Sequence, residues 1–416
     1  MSSKTRHDQA LRVQVFLYTA ATTLSATFLL VLSVGYLANV NLPYDGQGYL
    51  LGRDFVNTWM GGRAVFLGQV AAWFDPDTYN AALRELFGAN YWKHLWSYPP
   101  HLLLLTWPLG LLPYFPALFV WYAIGLLIYF YAGSEGFSRR SRLFLLAVSP
   151  AVFANILTGQ NGFFTAALLI GGLLNLDRRP IVAGVLFGIL TVKPQLGLLL
   201  PVMLIVTGRW RVIAAASVTA VGLAALSVWA FGIESWMAYV LKALPRQGQL
   251  LAQNSGFTLG LEPTVFASLR IAGVPPDAAM VAQIAMAAGA FGAVVWTFWR
   301  RRDPMLSVAL LITATFLATP YALIYDMVVI GWVVVLIREH PYSTAWDHGL
   351  ALAVWSLPIT SMVLSAGDIP GAAFVLVLFG VRIVWRLGRG EISGAADNAA
   401  KGPLISVPLR ATSPLD

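Results

Sequence analysis

Uninterrupted apolar runs limit what this chain can fold into more than any other feature. The segments 13–37 and 280–299 contain no charged residue, and about 20 apolar residues in a helix cross the roughly 30 Å hydrocarbon layer of a bilayer. Of the 416 residues, 58% are hydrophobic and only 11% are charged. A soluble protein of this length needs more charge to cover its surface. We therefore predict an all-α polytopic integral membrane protein.

The first apolar run follows Lys4, Arg6 and Arg12, an arrangement that also opens secretory signal peptides. The run is longer than the apolar stretch of a signal peptide, and further runs continue towards the C-terminus. We therefore interpret it as the first transmembrane helix, with the N-terminus in the cytoplasm.

The formal net charge of the chain is +8. In a membrane protein, Lys and Arg collect in the cytoplasmic loops, so this excess does not predict a nucleic-acid partner. The chain contains no Cys, which excludes a disulfide framework and a thiolate metal site.

The pattern of apolar runs predicts roughly twelve crossings. The ambiguous span is 101–133, which could hold one crossing or two because Pro108, Pro113 and Pro116 interrupt it. Several other spans are short enough to be tilted, kinked or re-entrant. After the first helix, the candidate spans are 101–133, 143–157, 161–176, 181–192, 196–207, 212–232, 278–299, 304–319, 322–337, 349–365 and 370–386.

The distribution of Lys and Arg decides between one crossing and two at 101–133. With a single net crossing there, most of the 27 basic residues fall on the cytoplasmic side, including the triplet 300–302. Two crossings would place that triplet outside, against the positive-inside rule. A single crossing, with 101–112 lying shallow in the interface, puts both termini in the cytoplasm.

This threading leaves two long loops outside the cytoplasm, loop 1 (39–100) and loop 2 (233–276), within a transmembrane domain of residues 1–390. Both loops mix Trp, Tyr and Phe with polar residues, as segments on a membrane surface do. In loop 1, Asp75-Pro76 predicts a helix start with Asp75 as N-cap. The tail 391–416 is rich in small and polar residues and is predicted to be disordered and cytoplasmic.

Five short polar clusters fall at the outer ends of the predicted spans. Ionisable groups at the membrane edge are costly and are usually functional. Five such clusters on one side, from separated parts of the chain, predict a single site that opens outward. The clusters are Gly52-Arg53-Asp54-Phe55, Tyr98-Pro99-Pro100-His101, Gly159-Gln160-Asn161-Gly162, Lys193-Pro194-Gln195, and the stretch from Thr319-Pro320-Tyr321 to Asp326.

Each cluster also has a purely structural explanation. Asp54 and Asp326 could cap the helices that follow them. A lone lysine such as Lys193 most often extends from a helix end to the membrane surface. Gln160 and Asn161 could simply form a turn between two helices, and Tyr98-Pro99-Pro100 could simply break and redirect the chain.

Taken in order, these clusters resemble the motifs of glycosyltransferase family 87, in the GT-C class of membrane glycosyltransferases. The resemblance includes Leu112-Pro113, covers about residues 15 to 340 and rests on the order and spacing of the motifs. It implies a GT-C-like bundle with helices in its extracytoplasmic loops. The implied donor is a polyprenyl-phosphate sugar, often of mannose, used on the extracytoplasmic face of a bacterial inner (plasma) membrane. The family's catalytic acidic residue lies in the first outer loop, and the matching position is Asp54.

The resemblance predicts a single displacement that inverts the anomeric centre. Asp54 would act as general base on the acceptor hydroxyl, for a gain of about 10²–10⁴-fold. Lys193, with Arg53 or Arg63, would stabilise the leaving phosphate. The acceptor would be a glycolipid or glycan, no cofactor or metal is expected, and the helix of loop 1 with 101–112 could form a groove for the polyprenyl chain. The candidate substrate-binding residues are Arg53, Arg63, Tyr98, His101, Gln160, Asn161, Lys193, Gln195, Tyr325 and Asp326.

The Asp75-Pro76-Asp77 stretch resembles the Asp-x-Asp element that holds a metal and a nucleotide diphosphate in soluble glycosyltransferases. A helix start explains it better, because a nucleotide donor is not found outside the cytoplasm. His94 and His101 are too isolated to predict a metal site.

Three other functions are consistent with an outward-facing polar site. A transporter or flippase of a lipid-linked glycan is the main one, but such proteins commonly show repeat symmetry and charges near the bilayer midplane. A polymerase or ligase of lipid-linked glycans would carry a different motif order. A structural scaffold would make Asp54 dispensable.

Overall fold

The computed structural model describes residues 3–134 and 139–389, which are built from helices joined by short connections. Within these ranges, β-structure is limited to isolated bridges at Asn41–Tyr44 and Tyr44–Leu50. The predicted disordered tail, 391–416, lies outside the described residues. The α-helices are α1 (Ser3–Ala38), α2 (Phe55–Leu67), α3 (Pro76–Phe87), α4 (Leu103–Thr106), α5 (Tyr114–Ser134), α6 (Arg139–Ala147), α7 (Pro150–Thr158), α8 (Gly162–Asn175), α9 (Pro180–Ile189), α10 (Leu200–Val206), α11 (Trp210–Phe231), α12 (Ile233–Ala238), α13 (Leu244–Gln253), α14 (Phe257–Gly260), α15 (Val265–Ile271), α16 (Pro276–Trp299), α17 (Pro304–Ala318), α18 (Val328–Glu339), α19 (Ala345–Ala366) and α20 (Gly371–Arg389).

Six helices in the described part of the chain are long and apolar enough to cross a membrane. They are α5, α11, α16, α19, α20 and the part of α1 from Leu11 to Ala38. Other apolar helices, such as α8 with 14 residues and α17 with 15, are each only about 21–23 Å long. The structure therefore shows a helical membrane protein but does not support twelve separate crossings, because several predicted crossings are helices too short to span the bilayer alone.

The segment 101–133 contains one long helix, α5. Before it, Trp107–Leu111 forms a 3-10 helix with Pro108 in its first turn. Leu112 is extended, with ψ of 151°, as the residue before a proline favours, and α5 begins directly after Pro113. A single helix of crossing length in this segment is consistent with the single net crossing inferred from the charges.

Two short helices, α17 and α18, lie at the centre of the bundle. Residues 306–318 of α17 and residues 328–337 of α18 are buried without interruption. A helix that is apolar on every face is stable when neighbours cover all of it, and α17 packs against α16, α18 and α20. The long helices lie further out. Trp229 of α11 is 83% exposed and Phe119 of α5 is 73% exposed, which are positions for lipid to cover.

The helix start predicted at Asp75-Pro76 is confirmed. Asp75 Oδ1 accepts a hydrogen bond from the backbone N–H of Thr78 at 3.0 Å, and Pro76 occupies the first position of α3. The pairing satisfies one of the backbone N–H groups that a helix start leaves without a partner.

Loops 1 and 2 pack against each other. The ring of Phe74 in loop 1 meets Tyr239 of loop 2 edge-on, with centroids 6.0 Å apart. Gln247 Nε2 of loop 2 donates to the carbonyl of Ser97 in loop 1 at 2.9 Å. The two loops therefore form one aromatic-rich layer at the end of the bundle where α1 ends and α5 begins.

Candidate active site

Asp54 immediately precedes α2, and its carboxylate does not cap that helix. Its backbone is helical, with φ of −71° and ψ of −13°, and its side chain makes no capping hydrogen bond. Instead, Oδ2 accepts a hydrogen bond from Gln160 Nε2 at 3.0 Å. The backbone N–H donates to the carbonyl of Thr158 at 2.9 Å. The capping interpretation of Asp54 is therefore wrong, and the carboxylate is held against the turn between α7 and α8.

Gln160 connects Asp54 to Tyr98. The Tyr98 hydroxyl donates to Gln160 Oε1 at 2.7 Å, which orients the amide so that its nitrogen faces Asp54. Burial, followed by the charge of Asp54, raises the pKa of Tyr98, so its hydroxyl stays protonated as a donor. Asp54 Oδ1 has no donor within the described ranges. One carboxylate oxygen is thus fixed, and the other is available to a substrate.

A buried ion pair lies beside this group. Lys193 Nζ pairs with Asp326 Oδ1 and donates to Asn161 Oδ1 at 3.1 Å. It also lies 4.8 Å from the centroid of the Tyr325 ring. Lys193 is 6% exposed and Asp326 is 1% exposed. The interpretation of Lys193 as a side chain that reaches the membrane surface is therefore wrong.

Asp326 has a structural role as well. Its second oxygen, Oδ2, accepts a hydrogen bond from the backbone N–H of Leu323 at 3.0 Å. Asp326 therefore does not cap the helix that follows it: Leu323 is the N-cap of the 3-10 turn Ile324–Met327, and Asp326 lies inside that turn and bonds back to the N-cap N–H. The same carboxylate thus serves both the start of the turn and Lys193. This double use fixes the position of the ammonium group.

The turn 159–161 joins the two groups of residues. Gln160 bonds to Asp54, and the next residue, Asn161, bonds to Lys193. Gly159 adopts a positive φ of 64°, and a Cβ at this position would lie 2.4 Å from the carbonyl oxygen of Gly52. Only a glycine lets the turn approach the segment before Asp54 this closely. Each of the five predicted clusters therefore contributes a side chain to this connected set of contacts.

A comparison with known protein families identifies the fold family. The model of Glycosyltransferase family 87 matches residues 96–320, more than half of the chain. The chain belongs to glycosyltransferase family 87. No curated protein and no solved structure matches it. The matched range includes the turn 159–161 and Lys193, whereas Asp54 and Asp326 lie outside it.

The resemblance seen in the motif order is thus confirmed, and this family 87 protein is a membrane glycosyltransferase.

Two predicted site residues, Arg53 and Arg63, make their contacts away from the Asp54 and Lys193 side chains. Arg53 donates from Nε and Nη2 to Asp45 Oδ2 at 3.1 and 2.9 Å. Arg63 lies over the ring of Trp59, 5.0 Å from its centroid, and has no carboxylate partner in the parts of the chain that the structure describes.

The last two predicted residues of this family 87 site, His101 and Gln195, lie in short 3-10 turns. His101 Nε2 is 3.3 Å from Thr191 Oγ1, and its ring stacks on Trp236 with centroids 5.6 Å apart. Gln195 is half-buried in the 3-10 turn that follows Lys193. His101 therefore links the start of 100–111 to loop 2 rather than joining the Asp54 hydrogen bonds.

Among the buried acids of the family 87 protein that the sequence prediction omitted is Glu262 in loop 2. Glu262 is 3% exposed, and burial raises its pKa to about 7. Its Oε1 accepts from Asn254 Nδ2 at 2.7 Å, whereas Oε2 is buried with no hydrogen bond to any described residue. The only sequence signal was an acidic residue within an otherwise neutral stretch, 247–269, which is too weak to single it out.

Within the described ranges, no group of three or more His, Asp and Glu side chains could hold a metal ion. Asp75, the first acid of the Asp-x-Asp stretch, is used as the cap of α3.

Proposed function

We propose that the protein transfers a sugar, mannose in the first instance, from a polyprenyl-phosphate donor to an acceptor hydroxyl on the extracytoplasmic face of a bacterial inner membrane. The proposal rests on Asp54 above all. Its carboxylate is positioned through one oxygen by Gln160, takes no part in capping, and offers its other oxygen to a substrate. A general base must first be positioned within hydrogen-bond reach of the proton that it removes, and only then does its pKa matter.

The chemistry is one displacement. The acceptor oxygen attacks the anomeric carbon as its proton passes to Asp54, and the bond from that carbon to the phosphate oxygen breaks. The phosphate leaves with the electron pair. Attack from the face opposite the leaving group inverts the anomeric centre, so a β-linked phospho-sugar gives an α-glycoside.

The neighbours of Asp54 support this role. Tyr98 orients the Gln160 amide, and the amide keeps the Asp54 carboxylate in a single orientation. Groups held in place before the reaction need no reorganisation as charge moves in the transition state.

The departing phosphate needs cations. Asp45 neutralises Arg53 through two N–H groups of the guanidinium, and Asp326 neutralises Lys193 in the protein without substrate. Arg63 carries no such partner in the described parts of the chain. We assign the phosphate to Arg63 and to Lys193. Lys193 keeps this role although it is paired, because Asn161 holds it next to the Gln160–Asp54 contact. Arg53 shapes the segment before Asp54.

The lipid chain of the donor needs an apolar surface at the membrane edge. α2 and the segment 100–111 present exposed apolar side chains there: Phe66 is 50% exposed, Trp107 39% and Leu111 62%. The Phe66 and Trp107 rings also contact each other, with centroids 5.9 Å apart. We place the polyprenyl chain on this apolar ridge, in the region where the sequence predicted a groove.

The first test compares wild type with Asp54→Asn in nanodiscs, using radiolabelled polyprenyl-phosphate mannose and a membrane lipid extract as acceptor source. Asparagine keeps the shape but cannot take the proton, so we expect transfer to fall by about 10²–10⁴-fold. Asp77→Asn, an exposed acid of α3, is the matched control and should transfer at the wild-type rate.

Equal transfer by wild type and a folded Asp54→Asn protein would exclude Asp54 as the base. An absence of transfer by wild type, with this donor and with other polyprenyl-phosphate sugars, would refute the proposed donor class.

A further inference from the structure

Glu262 is a buried acid that the mechanism above does not use. Its Oε2 atom is fully buried and has no hydrogen-bond partner in the described ranges, although Oε1 is bonded to Asn254. A buried carboxyl oxygen without a donor is destabilising by itself. Such unsatisfied groups in a folded protein call for an explanation, and a ligand that supplies the missing donor is one.

Glu262 is tied to the segment that carries Asp326. The carbonyl of its neighbour Leu261 accepts a hydrogen bond from the backbone N–H of Ile324 at 2.9 Å. Tyr321 lies in the same segment, and its pKa is raised by burial and then by the charges of Asp326, Glu262 and Asp54. The Tyr321 ring packs against Leu251 and Phe266 of loop 2, so Tyr321 lies between loop 2 and the segment that carries Asp326.

Loop 2 is also open to solvent next to Glu262. Asn254, which holds Oε1, is half-buried, and the two residues after it, Ser255 and Gly256, are exposed. The Asn254–Glu262 hydrogen bond thus connects a buried carboxyl to the rim of the loop.

We propose that Glu262, with Asn254 and Tyr321, binds the hydroxyl groups of the acceptor glycan. The proposal rests on the glycosyl transfer proposed above and assigns the acceptor side of that same site. An acceptor hydroxyl supplies the donor that Oε2 lacks, and the Tyr321 hydroxyl and the Asn254 amide can both accept and donate hydrogen bonds.

Electrostatics favours the acceptor over the donor at this position. Lys193 neutralises Asp326, whereas Glu262 has no cationic partner among the described residues, so its carboxylate would repel the donor phosphate. Carboxylates readily accept hydrogen bonds from neutral hydroxyl groups. The exposed apolar ridge that suits the lipid chain is formed by α2 and 100–111, and Glu262 lies in the other loop. The acceptor is therefore expected to enter over loop 2.

The test uses the full chain in nanodiscs with polyprenyl-phosphate mannose as donor and octyl α-mannopyranoside as the acceptor probe. In a buffer more alkaline than the pKa of Glu262, Glu262→Gln should raise the KM for the probe by about 10–100-fold, the effect of weakening a hydrogen bond to a charged group. The KM for the donor should stay at the wild-type value. Glu234→Gln, an exposed acid of the same loop, is the control and should change neither.

A binding measurement separates this proposal from the proposed function. Calorimetric titration of octyl α-mannopyranoside into the protein, without donor, should show the same loss of affinity in Glu262→Gln. If wild type binds the probe through Glu262 but transfers no sugar, the proposed function fails and the subsite stands. Unchanged affinity and unchanged probe KM in the variant, or no binding of the probe to wild type, would overturn the subsite.

A purely structural role would give a different result. It would change both KM values and kcat together with the melting temperature. If Glu262→Gln does not fold, Asn254→Ala provides the second variant, because it leaves the carboxyl in place and removes only its partner. We expect Asn254→Ala to change the probe KM and leave the donor KM unaffected, and equal changes in both would overturn the proposal.

Discussion

At the scale of single residues, the Lys193–Asp326 pair places two charges in the interior of the protein. Both side chains are almost fully buried, and removing a charge from water is costly unless a partner compensates for it. Here the compensation is shared: Asn161 accepts from Lys193, and Leu323 N–H donates to Asp326. The pair is thus embedded in hydrogen bonds that hold the centre of the site together.

We predict that Lys193→Met destabilises the protein by about 3–5 kcal/mol, because it leaves the Asp326 carboxylate buried without a counter-charge. The double variant Lys193→Met/Asp326→Asn should recover most of this loss, since asparagine can still accept from Leu323 N–H. Sugar transfer should remain low in both, because the proposed phosphate cation is missing. Thermal unfolding in detergent measures the first effect, and a single variant as stable as wild type would contradict it.

At the scale of elements, the position of α2 decides where Asp54 lies. α2 packs against Trp107–Leu111 through two glycines, since a Cβ on Gly110 would lie 2.3 Å from the backbone carbon of Gly62. Trp59 Nε1 adds a hydrogen bond to the carbonyl of Leu112 at 2.9 Å. Backbone atoms meet here, so no flexible side chain can move aside.

Gly110→Ala should therefore displace α2, lower the melting temperature and reduce kcat, because the shift carries Asp54 away from Gln160. Overpacking of this kind typically costs about 1–3 kcal/mol. The control is Gly289→Ala, where a Cβ on α16 would meet nothing within 4 Å, and alanine favours a helix over glycine. Unfolding curves and transfer rates of both variants test this, and equal behaviour of the two would show that α2 tolerates the shift.

At the scale of the whole molecule, the orientation in the membrane rests on the placement of Lys and Arg. The chain contains no Cys, so single cysteines can be introduced without removing native ones. Ser255 in loop 2 and Arg178 between α8 and α9 are both exposed, and the threading places them on opposite sides.

We predict that a membrane-impermeant maleimide applied to spheroplasts labels Ser255→Cys and does not label Arg178→Cys. Both variants should react once the membrane is permeabilised, which controls for access to each cysteine. The reverse pattern in intact spheroplasts would place the candidate active site in the cytoplasm, where a polyprenyl-phosphate donor facing outward could not reach it.

The sequence alone located most of the helices. The predicted spans 212–232, 278–299 and 304–319 nearly coincide with α11, α16 and α17. Such elements depend on local information, because apolar runs, prolines and caps act within a few residues of each other. The same information could not count crossings, since whether a 15-residue helix spans, tilts or is enclosed by its neighbours depends on what packs around it.

The sequence by itself determined the membrane class, the family and the set of polar clusters, because composition and motif order are properties of the chain. Only the tertiary structure decided which side chains meet. Asp54 and Gln160 are 106 residues apart, and Lys193 and Asp326 are 133 apart. No local preference encodes such pairs. They form when the packing of helices brings the connections between them together. For the same reason Glu262 stayed hidden, since its burial and its unpaired oxygen exist only in the folded protein.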